Sequence, residues 1–224
     1  MKQARRVRDK AVALISGGLD STVSLALAQK KGLKIRLGLT FDYGQKAARP
    51  EIRSARRICR KLKIPHRVVR LDWLKKIARS SSLVARDKVL PELKISELSD
   101  LRITKRTGRQ VWVPNRNAVF IGIAAAFAES LHCSYIITGF NREEARTFPD
   151  NSAGFIRAVN KSLRYSTLNR VQVISFTARL NKKQIFKEGQ RIKAPLADAW
   201  SCYRGGLKPC GKCESCLRRI RAEE

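Results

Sequence analysis

Two groups of residues in this chain have types and spacings that suit chemistry. One is Ser16-Gly17-Gly18-Leu19-Asp20-Ser21, and the other is the set Cys202, Cys210, Cys213 and Cys216. In the first, adjacent glycines let the backbone turn tightly and bring its N–H groups up to an anion. Ser16 and Ser21 add hydroxyl donors, and a helix beginning there would contribute roughly half a positive charge at its N-terminus. Those are the parts of a phosphate cradle. Asp20 is the exception, because a carboxylate repels phosphate unless it holds Mg²⁺ or caps the helix, and both jobs are open to it. No Gly-Lys-Ser/Thr follows and no Gly-x-Gly-x-x-Gly is present, so neither of the commonest phosphate-loop patterns applies.

The cysteines read Cys202-x7-Cys210-x2-Cys213-x2-Cys216, with Gly205, Gly206, Pro209 and Gly211 to let the chain wrap. Four thiolates around one ion suit zinc, and four protein ligands leave no open position, so the expected metal is structural. Arg204, Lys208, Lys212, Arg218 and Arg219 flank the cluster and are expected to lower the thiol pKa values. Two other uses compete: an iron–sulfur cluster on the three closely spaced cysteines, although the Cys-Pro of ferredoxin-type runs is missing, and redox chemistry at a Cys-x-x-Cys pair. Cys59 and Cys133 stand alone in apolar surroundings, a distribution unlike that of paired disulfides.

Strands and helices must position these groups. The run Ala11–Ile15 is continuously apolar and ends at Ser-Gly-Gly, as a strand buried on both faces does. A short helix from Asp20 to about Gly32 and a strand over Ile35–Phe41 complete a β-α-β unit, with the Ser-Gly-Gly turn at the strand's C-terminal end. A basic helix over Glu51–Leu62, a strand over His66–Leu71, a helix over Asn117–Leu131, a strand over Tyr135–Thr138, a helix over Phe155–Leu163 and a strand over Val171–Phe176 continue the alternation. Asn181 caps a last helix ending at Gly189. The expected fold is α/β, a right-handed parallel sheet of Rossmann-like order. Residues 78–111, with a serine run, Pro91 and no sustained period, break the rhythm and read as a mobile insertion or lid. The expected division is a catalytic domain over 1–195 and a cysteine-bearing segment over 196–224.

The 224 residues and 43% hydrophobic content suit one such domain with a small appendage. No apolar stretch reaches the length of a membrane span, and Met1 leads into a charged run without a secretory apolar core, so a cytoplasmic protein without a membrane partner is expected. Forty-eight Lys+Arg against 18 Asp+Glu leave a net charge of +30, spread along the chain. Such a surface attracts polyanions, nucleic acid included, without making nucleic-acid contact the primary function.

The string SGGLDS resembles the SGGxDS signature of the PP-loop ATP pyrophosphatases, which cleave ATP between the α- and β-phosphates. Together with FDYGQ (Phe41–Gln45), VPNRN (Val113–Asn117) and PCGKCESC (Pro209–Cys216), it resembles the 7-cyano-7-deazaguanine synthase family of queuosine and archaeosine biosynthesis over nearly the whole chain. The resemblance implies a ligase acting on 7-carboxy-7-deazaguanine, ATP and ammonia, with Mg²⁺ for the nucleotide, one structural Zn²⁺ per chain and a homodimer. It assigns ATP to Ser16, Gly17, Gly18, Leu19, Asp20, Ser21 and Thr22, and substrate to Tyr43, Gln45, Arg116 and Asp150. Asp20, Arg116 and Asp150 are the expected catalytic residues, and Thr138–Ser152 part of the substrate wall. Glu143 and Glu144 read as a solvated pair, and His66 and His132 as structural. Phe148-Pro149-Asp150-Asn151-Ser152 and Ala47 depart from the bacterial pattern of Tyr-Pro-Asp-Cys-Arg and a histidine after Tyr-Gly-Gln. These departures leave another carboxylate, such as a protein terminus, open as the acceptor; the charge of +30 is the chief argument for a rival PP-loop enzyme adenylating a tRNA base, and a zinc-stabilised RNA-binding module with a degenerate loop is the non-enzymatic alternative.

Overall fold

The computed structural model describes residues 10–224, so the basic leader lies outside the described residues. Five strands, β1 (Lys10–Leu14), β2 (Lys34–Asp42), β3 (His66–Arg70), β4 (Tyr135–Thr138) and β5 (Gln172–Ser175), form one sheet in the order β3-β2-β1-β4-β5. Every neighbouring pair is parallel. The apolar run of β1 is continuous because both faces are covered. Ala11 and Ala13 pack with Leu25, Ala28 and Ile58 on one side, and Val12 packs with Ile121, Ala124 and Ala128 on the other. Successive strand residues point to opposite faces, so each cluster takes every second position. β1 lies centrally with β2 on one side and β4 on the other, and the crossover direction reverses between them. An open α/β sheet has its crevice at the C-terminal ends of such strands.

The helices α1 (Leu19–Lys30), α2 (Ala48–Lys61), α3 (Asp72–Ile77), α4 (Leu101–Gln110), α5 (Arg116–Ser130), α6 (Ala153–Ser166), α7 (Lys182–Arg191) and α8 (Glu214–Glu223) complete the fold. α1 is buried nearly all round, whereas α2 buries Ala55, Ile58 and Cys59 and turns its arginines outward. Two differences from the sequence reading have clear causes. Residues 101–110 are helical although no apolar period marks them, because α4 buries Thr104, Thr107 and Gly108 instead of leucines. Asp100 caps α4 by accepting the Arg102 N–H at 2.7 Å, and a Cβ on Gly108 would lie 2.7 Å from Thr147 Cγ2. Leu83, Val84, Leu90 and Val111 from the same stretch enter the main core. Gly189 does not end α7 but sits within it, where a Cβ would be 2.8 Å from both Val23 and Leu196. Its role is close packing of α7 on α1. Among the described residues no helix is long and apolar enough to cross a membrane.

Candidate active site

The loop between β1 and α1 carries the Ser-Gly-Gly turn. Gly17 has φ +81°, and a Cβ there would lie 2.6 Å from the Glu51 carbonyl oxygen and 2.9 Å from Ser54, so the turn needs glycine for conformation and for space. The Gly17 carbonyl accepts hydrogen bonds from the Ser54 hydroxyl at 2.7 Å and the Trp200 N–H at 2.8 Å. Ser16 and Ser21 hydroxyls lie 3.1 Å apart, and the Thr22 hydroxyl donates to the Gly18 carbonyl at 2.7 Å. Gly139, just past β4, lets that strand close on α1; a Cβ there would be 2.5 Å from the Ser21 nitrogen.

A cavity of about 250 Å³ opens over this loop. Of the residues singled out in the sequence, Ser16, Gly18, Leu19, Asp20, Ser21, Tyr43, Gln45 and Arg116 line it. Gly17, Thr22 and Asp150 are not in its wall. Gly17 and Thr22 shape the loop from behind, and Asp150 stands beside Arg116, where burial, partly opposed by that guanidinium, raises its carboxyl pKa. Arg116 opens α5, as expected, and donates to the Tyr43 hydroxyl at 3.1 Å. From the 138–152 stretch, Thr138, Gly139, Phe140, Glu144, Phe148 and Asn151 reach the cavity. His66 bonds Thr40 Oγ1 at 2.8 Å and takes no part in the wall.

The N-cap of α1 is Gly18, so Asp20 does not cap the helix. Its Oδ2 instead accepts from the Lys182 ammonium, which also pairs with Glu144 at 2.7 Å. Burial pushes the Asp20 carboxyl up to about 6 against the pull of Lys182. Against the same burial, Asp20 and Glu144 raise the Lys182 pKa, and Lys182 holds Glu144 below the usual carboxylate range. Asp20 Oδ1 is buried with no hydrogen-bond partner among the described residues. A free carboxylate oxygen beside a phosphate-type loop is the donor a Mg²⁺ ion takes, so the residues present fit that ion. Glu143 and Glu144 are not a solvated pair: Glu143 binds Arg218 and Arg221 of α8, and Arg218 is itself paired with Glu214 at 2.6 Å.

The four tail cysteines place their sulfurs within 4.8 Å of one another, with Cys210 and Cys216 3.9 Å apart. Zinc–sulfur bonds of about 2.3 Å imply tetrahedral S···S edges of about 3.8 Å, so the cluster fits zinc. The flanking cations do not set the thiol acidities: a hydrogen bond shared by Cys213 and Cys216 lowers the first and raises the second, and burial raises Cys202. The tail is joined to the cavity. Trp200, Ser201, Tyr203 and Ser215 line it, and a Cβ on Gly205 would overlap the Lys46 carbonyl.

Two charged cavity residues escaped the sequence reading. Lys182 stands in the first turn of α7, where the helix dipole disfavours a cation, and that misplacement was the available signal. Glu51 is the one acid in α2, among six basic residues, and it passes for an ordinary dipole partner at a helix start.

A parallel sheet with an SGGLDS loop at its switch point, a lysine ammonium paired with that loop's carboxylate and a four-thiol appendage define an ATP-dependent enzyme of the PP-loop type. The chain belongs to the queuosine biosynthesis protein QueC family, whose model matches residues 10–224. It is 51% identical over 211 residues to a 7-cyano-7-deazaguanine synthase of Desulforamulus reducens, covering 94% of this chain and 92% of the relative. It is 53% identical to the enzyme of that name from Carboxydothermus hydrogenoformans, covering 96% and 98%, and 48% identical to that of Methanosarcina mazei, covering 95% and 93%.

Proposed function

We propose that the chain is an ATP-dependent ligase converting 7-carboxy-7-deazaguanine and ammonia to 7-cyano-7-deazaguanine. The observation that carries this reading is the match of nearly the full chain to relatives of that name at about half identity, with the loop residues intact. A carboxylate is a poor electrophile. Its oxygen therefore attacks the α-phosphorus of ATP, pyrophosphate leaves, and ammonia displaces AMP to give the amide. A second ATP activates the amide oxygen, and loss of AMP gives the nitrile. Each activation gathers negative charge on phosphoryl oxygens, where fixed donors and cations act most strongly.

In this scheme the N–H groups at the start of α1, with Ser16 and Ser21, hold the phosphates, and Lys182 offsets their charge. Leu19 and Thr22 support the loop. Arg116 pairs the substrate carboxylate and Tyr43 and Gln45 shape its pocket, while Asp150, outside the cavity wall, acts on the substrate through the Arg116 guanidinium beside it. Asp20 and Glu144 would hold Mg²⁺, which when bound supplies further positive charge to the phosphates. Cys202, Cys210, Cys213 and Cys216 would hold a structural zinc in the segment 196–224, apart from the catalytic residues of 1–195. The same reading places the enzyme in the cytoplasm as a homodimer, with nucleic acid incidental. The test is pyrophosphate and AMP release, expected only when 7-carboxy-7-deazaguanine and ammonium are supplied together. Turnover that instead requires tRNA or a protein terminus would overturn the reading.

A further inference from the structure

The mechanism leaves one cavity carboxylate unused. Glu51, in the first turn of α2, lines the cavity and is partly buried. Its Oε2 accepts from Gln45 Nε2 at 2.8 Å. Gln45 is itself fixed, because the same Nε2 donates to the Phe41 carbonyl at 3.1 Å and its Oε1 accepts the Tyr43 N–H at 3.0 Å. That arrangement sets the Glu51 rotamer and leaves Oε1 without a hydrogen-bond partner among the described residues. The charged groups acting on the carboxylate are Arg116 from α5 and Asp42 from β2.

We propose that Glu51 binds the ammonium ion that enters the reaction and takes its proton. This rests on the ligase reading above. A carboxylate with a free oxygen repels the phosphates and the substrate carboxylate, so the reactant it suits is the cationic one. If Arg116 holds the substrate carboxylate, Glu51 beside it places the ammonium next to the carbon to be attacked. Burial, opposed by the Gln45 hydrogen bond and Arg116, pushes its carboxyl up to about 7, near the pKa at which a base works best at neutral pH. In the step, a proton passes from ammonium to Oε1 and the freed nitrogen pair attacks the acyl carbon. The C–N bond forms, and the C–O bond to AMP breaks with its electron pair going to the AMP phosphate oxygen. The nitrogen then sheds one further proton to water.

The experiment uses full-length wild type, Glu51→Gln and Glu51→Asp. Three reactions are measured: ATP–pyrophosphate exchange with 7-carboxy-7-deazaguanine, amide formation with ammonium, and hydroxamate formation with hydroxylamine, which is already unprotonated at neutral pH. Glu51→Gln is expected to keep exchange within about threefold, which also shows that it folds. It should lose ammonium-dependent amide formation by about 100-fold or more, the usual weight of a general base. Its hydroxamate formation should stay within about tenfold of wild type, and Glu51→Asp should recover part of the ammonium reaction. Equal losses with ammonium and hydroxylamine, loss of exchange, or a raised KM for the acid with ammonium use intact would each overturn the proposal, the last pointing to base recognition instead. A wild type that consumes no ammonium would overturn the ligase reading itself, and that result is seen before any variant is made.

Discussion

Burial of the Glu51 carboxylate has a thermodynamic consequence that can be measured without any substrate. Its pKa in the folded protein is raised from the ordinary 4.5 to about 7. The folded state therefore binds that proton more tightly than the unfolded chain does. The associated stability is present in full below pH 4.5 and is lost as pH rises through about 7. At about 1.4 kcal/mol for each tenfold change in proton affinity, the span corresponds to an upper figure of about 3 kcal/mol, reduced by whatever water enters the cavity. Glu51→Gln keeps an acceptor for Gln45 and removes the titration. Part of that span is already lost at pH 5, so relative to wild type the variant should gain up to about 2.5 kcal/mol between pH 5 and pH 8, or up to about 5–10 °C in Tm for a chain of this size. Urea unfolding of both proteins at the two pH values gives the double difference, from which every other titrating group cancels. A difference that does not grow with pH, or that shrinks, would refute the burial argument.

Asp20→Asn should lower ATP–pyrophosphate exchange by about 100-fold or more, by removing the carboxylate that would hold Mg²⁺ and that fixes the Lys182 ammonium beside the loop, and leave the zinc content of the purified protein unchanged by elemental analysis. Lys182→Met leaves Asp20 and Glu144 buried without their cation, so chemical denaturation should show a loss of about 3–5 kcal/mol, partly regained in the double variant with Asp20→Asn. Gly139→Ala places a methyl 2.5 Å from the Ser21 nitrogen, and this backbone overlap should cost about 1–3 kcal/mol in denaturation and weaken nucleotide binding in calorimetry. Removing the metal with a chelator should lower Tm and speed hydrogen exchange at the Trp200 amide, whose hydrogen bond to Gly17 depends on the tail's position.

The strands were legible because burial on both faces leaves a plain mark, a short continuous apolar run bounded by turn residues, and β1 and β4 show it clearly. The phosphate loop was legible for a different reason: its glycines and hydroxyls are adjacent in sequence, so one window contains the whole device. α4 was not legible, because it packs through threonines and a glycine, and its apolar period is absent. The ion pairs were invisible on principle. Lys182 meets Asp20 across 162 positions and Arg218 meets Glu143 across 75, and no local pattern records contacts that the topology alone creates. Charge composition misled in the same way. In a chain of net charge +30, Glu143 and Glu144 looked like ordinary surface acids, yet they neutralise buried cations.

The tail's place in the fold gives a route by which a metal held by its four thiols would act on the phosphate loop. The Gly17 carbonyl is held by Ser54 from α2 and by Trp200 from the tail, and the Ser54 hydroxyl also reaches the Asp198 carbonyl at 2.5 Å. On the opposite side, Arg218 and Arg221 of α8 fix Glu143, the neighbour of the Glu144 that pairs with Lys182. Both the loop and its facing ion pair are therefore braced by residues 198–221. That stretch has almost no apolar core of its own: its buried cluster is Cys202, Cys213 and Cys216, with Trp200, Tyr203 and Cys210 packed against them. Arg219 ties the stretch together by donating to the Ala199 and Leu196 carbonyls, and Arg218 pairs with Glu214; a zinc ion on the four thiols, worth about 10–16 kcal/mol in peptides, would add to that cohesion. The metal would thus act on the phosphates through geometry, by keeping two hydrogen-bonded supports of the loop at fixed distance.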